Sequence, residues 1–174
     1  MSATPDAGPL EIERTFLLSG MPALPGSASR WRIEQGYLHG DALLEGRVRR
    51  VVAPDGSVEF THTIKHGTGL VRRERERRID RAEFERLWGM TEGRRLRKDR
   101  FKVADGSFTW EIDRFEGLPP IEGRELVMAE VEIPAGVDPD AVSIPSWLRP
   151  VVVREVTEEP RFRNYSLATA SGTI

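Results

Sequence analysis

Leu10-Glu-Ile-Glu-Arg-Thr-Phe-Leu-Leu18 changes character from one residue to the next. Successive side chains of a strand point to opposite faces, so residues two apart lie together. Glu11 and Glu13 then share a face with Thr15, while Ile12 and Phe16 share the other. Two carboxylates on one face repel unless water or a cation comes between them. The stretch predicts a strand with an apolar side and a charged, wet side.

The same construction recurs along the chain. Arg47 and Arg49 flank Val48, and Thr61 and Thr63 share a face with Lys65, opposite Phe60 and Ile64. Glu74 and Glu76 flank Arg75, Lys98 and Arg100 flank Asp99, and Glu111 and Asp113 flank Ile112. Glu130 and Glu132 flank Val131, with Ala129 and Ile133 on the apolar side. One such strand alone reads as half-buried with a solvated outer face. Solvated sheet faces usually intersperse the two signs, however. Here acidic pairs occupy some strands and basic pairs others. That segregation fits opposing walls of one cavity, a metal on the acid side and a polyanion on the basic side. A cavity lined this way is costly when dry, so it must be wet and open to ligand. Carboxylate oxygens are the hard ligands that Mg²⁺ or Mn²⁺ prefers, and substrate phosphates commonly complete such sites. Arginine forks and lysine ammonium groups are the matching phosphate partners.

The segments Leu10–Leu18, Ile33–Leu38, Gly46–Val52, Val58–Lys65, Leu70–Ile79, Arg97–Val103, Ser107–Phe115, Leu126–Ile133 and Val151–Val156 read as strands. Ala53-Pro-Asp-Gly-Ser57 is a turn signal, and Asp105-Gly106 predicts a tight hairpin. The stretches Ser19 to Ser29 and Pro134 to Pro145 are rich in Pro, Gly and Ser and read as connections inside one domain. One helix is expected, with Asp80 as cap, Glu83 three residues on, Phe84, Leu87 and Trp88 on one face, and Gly89 as the stop. Many short strands with few helices predict a β-dominated barrel or α+β fold.

The chain has 174 residues, enough for one domain with a sizeable core. Its 26 Lys and Arg nearly balance 28 Asp and Glu, which gives no case for nucleic-acid binding. It has no cysteine, so disulfides, thiol nucleophiles and cysteine metal sites are excluded. His39, His62 and His66 lack the spacing of a zinc site, and His62 reads as a packing or hydrogen-bonded residue. No serine sits in a Gly-x-Ser-x-Gly elbow. No segment is apolar enough to span a membrane, and residues 1–9 read as a disordered leader, not a signal peptide. A cytoplasmic location is expected.

The ordered set of short motifs resembles the CYTH domain, or triphosphate tunnel metalloenzyme, family. Glu11-Ile-Glu-Arg-Thr15 resembles its opening Glu-x-Glu-x-Lys strand. Gln35-Gly-Tyr-Leu38, Arg47-Val-Arg49, Thr63-Ile-Lys65, Arg73-Glu-Arg-Glu76, Lys98-Asp-Arg-Phe101, Trp110-Glu-Ile-Asp113, Ala129-Glu-Val-Glu132 and Glu155-Val-Thr157 follow in the family's order. Arg161-Phe-Arg-Asn-Tyr-Ser-Leu167 matches its tail. The resemblance implies an eight-stranded antiparallel tunnel with a few flanking helices, spanning residues 10–168, with 169–174 as a tail. It implies binding of a small-molecule triphosphate with Mg²⁺ or Mn²⁺, most closely as in the inorganic triphosphatase group, and a possible homodimer. Carried over by motif, Glu11, Glu13, Glu130 and Glu132 hold metal, with Glu74, Glu76, Glu111 and Asp113 close behind. Arg47, Arg49, Lys65, Lys98 and Arg100 clamp phosphates, and Lys65 and Lys98 take part in catalysis, Lys98 by helping to activate water. Thr15 stands where the family has lysine, leaving the phosphate side one cation short. Two alternatives follow: an adenylate cyclase of the same type, or a non-catalytic module binding polyphosphate or nucleotide.

Overall fold

The computed structural model describes residues 10–38, 44–66 and 71–170. The expected leader and residues 171–174 of the expected tail lie outside them. Nine strands follow one another as β1 (Leu10–Leu18), β2 (Ser29–Tyr37), β3 (Leu44–Val52), β4 (Val58–His66), β5 (Val71–Arg78), β6 (Arg95–Asp105), β7 (Phe108–Glu116), β8 (Val127–Ile133) and β9 (Val152–Glu155). Helix α1 (Arg81–Trp88) lies between β5 and β6, and α2 (Asn164–Ala170) follows β9.

All pairings are antiparallel, in the spatial order β5-β4-β3-β2-β6-β7-β8-β1-β9. The ends of this order meet, because β1 also pairs with β5 from Leu10↔Arg73 to Ile12↔Val71. Eight strands therefore run in a ring joined by a short seam. Short β9 occupies the rest of that edge of β1, from Phe16↔Glu155 to Leu18↔Val152. The eight-stranded tunnel expected from the motifs is the ring; β9 is its addition.

Period-two patterning decides what the ring encloses. Phe16, Leu18, Trp110, Ile112, Ala129, Val131 and Ile133 form an outward core, covered by the segment carrying Val142 and Leu148. Phe84 and Leu87 of α1 pack with Val48 and Phe60 on the outer side of β3 and β4. The Asp80 side chain accepts from the Glu83 amide at 2.7 Å, fixing the start of α1 as expected. Gly89 does not end the helix by reversing its hand; the chain continues as a 3-10 turn through Gly89–Thr91. The reversal comes at Gly93, with φ of +73°, a conformation that glycine adopts without steric cost. Gly106 at φ +59° closes the β6–β7 hairpin. No helix among the described residues is long and apolar enough to cross a membrane.

Candidate active site

The inward faces of the ring are sorted by sign. Register places Arg47 opposite Thr63 and Arg49 opposite both Thr61 and Gln35. Lys98, Arg100 and Lys102 follow on β6, one strand beyond β2. The arc β4-β3-β2-β6 therefore presents basic or neutral groups. Glu111 and Asp113 on β7, Glu130 and Glu132 on β8, Glu13 on β1, and Glu74 and Glu76 on β5 make the remaining arc acidic. Where they border the cavity, the opposing walls expected from the strand patterns are, among the described residues, two arcs of one ring.

The arcs meet at two seams, and ion pairs fill both. At the β4–β5 seam Lys65 pairs with Glu74, and Arg47 lies 3.5 Å from Glu74 and 3.6 Å from Glu76. Thr63 donates to Glu76 at 2.6 Å. At the β6–β7 seam Arg100 joins three carboxylates. It reaches Asp113 through Nε and Nη2 at 2.7 and 2.6 Å, Glu130 through Nη2 at 2.6 Å, and Glu111 through Nη1. Lys102 pairs with Glu111 at 2.9 Å. Burial works against the charge of Glu111, yet Arg100 and Lys102 hold its carboxyl below the ordinary range.

A cavity of about 250 Å³ lies between the arcs. That is below the roughly 300–1,000 Å³ of sites for drug-sized ligands, and its lining is charged, so it suits a small polyanion. Of the expected residues, Glu13, Arg47, Arg49, Lys65, Glu74, Glu76, Arg100, Glu111, Glu130 and Glu132 border it. Glu11 is on β1, but its side chain lies outside the described residues. Lys98 and Asp113 do not border the cavity. They form a pair at 2.5 Å further along the same inward faces, with neither side chain exposed. Lys98 also donates to Asn164 Oδ1 at 3.2 Å and sits over the Phe115 ring. Arg100 and Lys98 hold the Asp113 carboxyl far below its ordinary range despite burial.

The acidic arc carries a tension of its own. Glu13 is directly opposite Glu132, and Glu111 directly opposite Glu130. Like charges in those positions are destabilising. Burial, then Glu13 and Asp113, push the Glu130 pKa up to about 7. Among the described residues neither Glu13 nor Glu132 has a cationic partner, and Glu13 receives only a 3.4 Å hydrogen bond from Thr15. No three acidic or histidine side chains among the described residues form a ready cage. An all-oxygen wall of this kind fits a hard cation that keeps its waters and shares substrate oxygens.

Thr15 borders the cavity, whereas Arg14 points outward to Glu155 and to the carbonyls of Pro139 and Val142. His62 is hydrogen-bonded with Arg77 at 3.4 Å on the outside, as expected of a packing residue. Sequence reasoning missed Lys102, although it continues the Lys98, Arg100 alternation. It also missed the segment after β9, which lines the cavity with Thr157, Phe162, Arg163 and Tyr165.

No protein-family model matches the chain. It is 37% identical over 162 residues to an inorganic triphosphatase of Nitrosomonas europaea, covering 91% of this chain and 96% of the relative. The chain belongs to the inorganic triphosphatase family. A second inorganic triphosphatase, from Acetivibrio thermocellus, is 36% identical over 159 residues, covering 90% of this chain and 92% of the relative. A crystal structure of an inorganic triphosphatase aligns with a TM-score of 0.61 at 34% identity, covering 91% of this chain and 97% of that one. The sign-sorted ring thus sits in an inorganic triphosphatase fold.

Proposed function

We propose that this protein hydrolyses inorganic triphosphate in the cavity between its two charged arcs, with a divalent cation, Mg²⁺ or Mn²⁺. The observation that carries the reading is a basic arc facing an acidic one, among the described residues, across about 250 Å³. Relatives named inorganic triphosphatase support the reaction class.

Water adds to the terminal phosphorus, the bond to the bridging oxygen breaks, and phosphate and diphosphate leave. Such transfer depends on positioning and on neutralising charge more than on covalent help. Arg49, Arg47 and Lys65 would grip the phosphate oxygens, and Arg100 would stabilise charge on the departing diphosphate. Glu13, Glu130 and Glu132, with Glu11 beside Glu13 on the strand pattern, would hold the cation. When bound, it neutralises phosphate oxygens and makes a coordinated water more acidic. Lys98 acts from inside the ring beyond the cavity, positioning Asp113 and Asn164.

The test is incubation with inorganic triphosphate, ATP or thiamine triphosphate, each with Mg²⁺ or Mn²⁺. Phosphate release fastest from inorganic triphosphate is expected. Cyclic AMP from ATP, or triphosphate binding without turnover, would overturn the reading.

A further inference from the structure

The cations around the cavity differ in how far they are already committed. Arg47 and Lys65 are held by Glu74, Arg100 by three carboxylates and Lys102 by Glu111. A cation tied to a carboxylate must loosen that bond before it can hold an anion, which offsets much of the gain. Among the described residues two cavity arginines have no carboxylate partner. Arg49 donates only to Gln35, at 3.4 Å, and its buried Nε has no partner. Arg163 is half-buried, borders the cavity, and among the described residues makes no side-chain hydrogen bond or ion pair.

The route of the chain explains why Arg163 is free and where it stands. The segment after β9 starts against Thr15: the Thr15 amide donates to Thr157 Oγ1 at 3.0 Å, and the Val156 amide donates to the Thr15 carbonyl at 2.8 Å. Turns from Glu159 to Val156 and from Arg163 to Pro160 then fold it back over the same cavity. The nearby carboxylate, Glu159, is taken by Arg154 at 3.2 Å and Arg161 at 3.1 Å. Those two guanidinium groups also bracket the Phe162 ring and both reach Glu122, which anchors the turn just before Arg163. Cation demand on Glu159 is thus met from outside, and the charge of Arg163 is left for the interior.

We infer that Arg163 is a phosphate-binding residue of this protein, supplying from the segment after β9 the positive charge that Thr15 does not supply from β1. The inference rests on the proposed function, because its ligand is the triphosphate. A charge on a returning segment can serve the same anion as a charge on β1, since both border one small cavity. A guanidinium adds a two-pronged grip that a hydroxyl at position 15 lacks.

The experiment is calorimetric titration of the full-length protein with inorganic triphosphate, with melting temperature followed for each variant. Arg163→Gln, which keeps a polar hydrogen-bonding end but removes the charge, is expected to weaken binding about tenfold or more with an unchanged melting temperature. Arg163→Lys should retain most of the affinity. Thr15→Lys introduced into Arg163→Gln should restore it, because the lost quantity is charge in one cavity. Wild-type binding that survives Arg163→Gln while Arg49→Ala abolishes it overturns the inference and leaves the proposed function standing. Failure of Thr15→Lys to restore affinity overturns the pairing of the two positions. A wild-type protein that binds no triphosphate removes the proposed function itself, a different result from either.

Discussion

Lys98 Nζ lies 2.5 Å from Asp113 Oδ2, and neither side chain is reached by solvent. Asp113 also receives Arg100 through two nitrogens, whereas among the described residues Lys98 has Asp113 as its one carboxylate partner. The two members of the pair are therefore unequal in what their loss leaves behind.

Removing Asp113 strands the buried Lys98 and takes from Arg100 one of its three carboxylates, so Asp113→Ala is expected to destabilise by about 3–5 kcal/mol. Lys98→Met leaves Asp113 with Arg100 and fills the space with an apolar chain of similar length, so its cost should be clearly smaller. Urea denaturation of the metal-free proteins measures both. Equal losses would show that Arg100 does not sustain Asp113 alone.

Glu130 gives the metal-free protein a pH dependence opposite in sign to that of Asp113, although Arg100 contacts both. Its pKa is raised to about 7 by burial and by Glu13 and Asp113. The folded state then holds a proton that the unfolded chain has already lost, so Glu130 favours folding at low pH. That contribution disappears as pH rises from the ordinary carboxylate range through about 7. Glu130→Gln should therefore raise the melting temperature near pH 8 and change it little near pH 5, read without divalent cation. Asp113, held far below its ordinary range, contributes stability that persists until strongly acid pH. A mutant profile parallel to wild type from about pH 5 to 8 would count against the assignment.

Arg49 separates binding from stability. Burial, then repulsion from Arg47 and Arg100, lowers its pKa to about 10, and among the described residues it is in no ion pair. Arg49→Ala is expected to weaken triphosphate binding by about 1–3 kcal/mol while the free protein keeps or gains stability. Arg47→Ala should weaken binding and also lower stability, because it breaks contacts to Thr63, Glu74 and Glu76. Paired titration and thermal melts distinguish the two; a destabilised Arg49→Ala would make that residue structural.

Glu13 faces Glu132 across the β1–β8 ladder with no cation between them among the described residues. Mg²⁺ or Mn²⁺ should therefore raise the melting temperature, and further with triphosphate present, since a ligand bound only by the folded state stabilises it. Glu132→Gln should remove most of the cation's effect. Wild-type melts unmoved by either ion, with and without triphosphate, would remove these carboxylates from the metal site.

The alternation in Leu10–Leu18, Arg47–Arg49, Lys98–Arg100 and Glu130–Glu132 determined which side chains share a face, because backbone geometry alone fixes a strand's period at two. Hairpin turns such as Asp105-Gly106, and the Asp80 cap, were legible for the same reason: their chemistry is local. Which strand lies beside which is not local. Only the closing of β1 onto β5 gathered the acidic strands into one arc and the basic strands into the other. Tertiary structure also decided that Lys98, patterned like Arg100, does not border the cavity, and that Arg100 is shared among Glu111, Asp113 and Glu130. Arg163 was beyond any periodic reading. It reaches the cavity through irregular turns, where no repeat ties sequence spacing to side-chain direction, and the long-range contact of Thr157 with Thr15 sets its place.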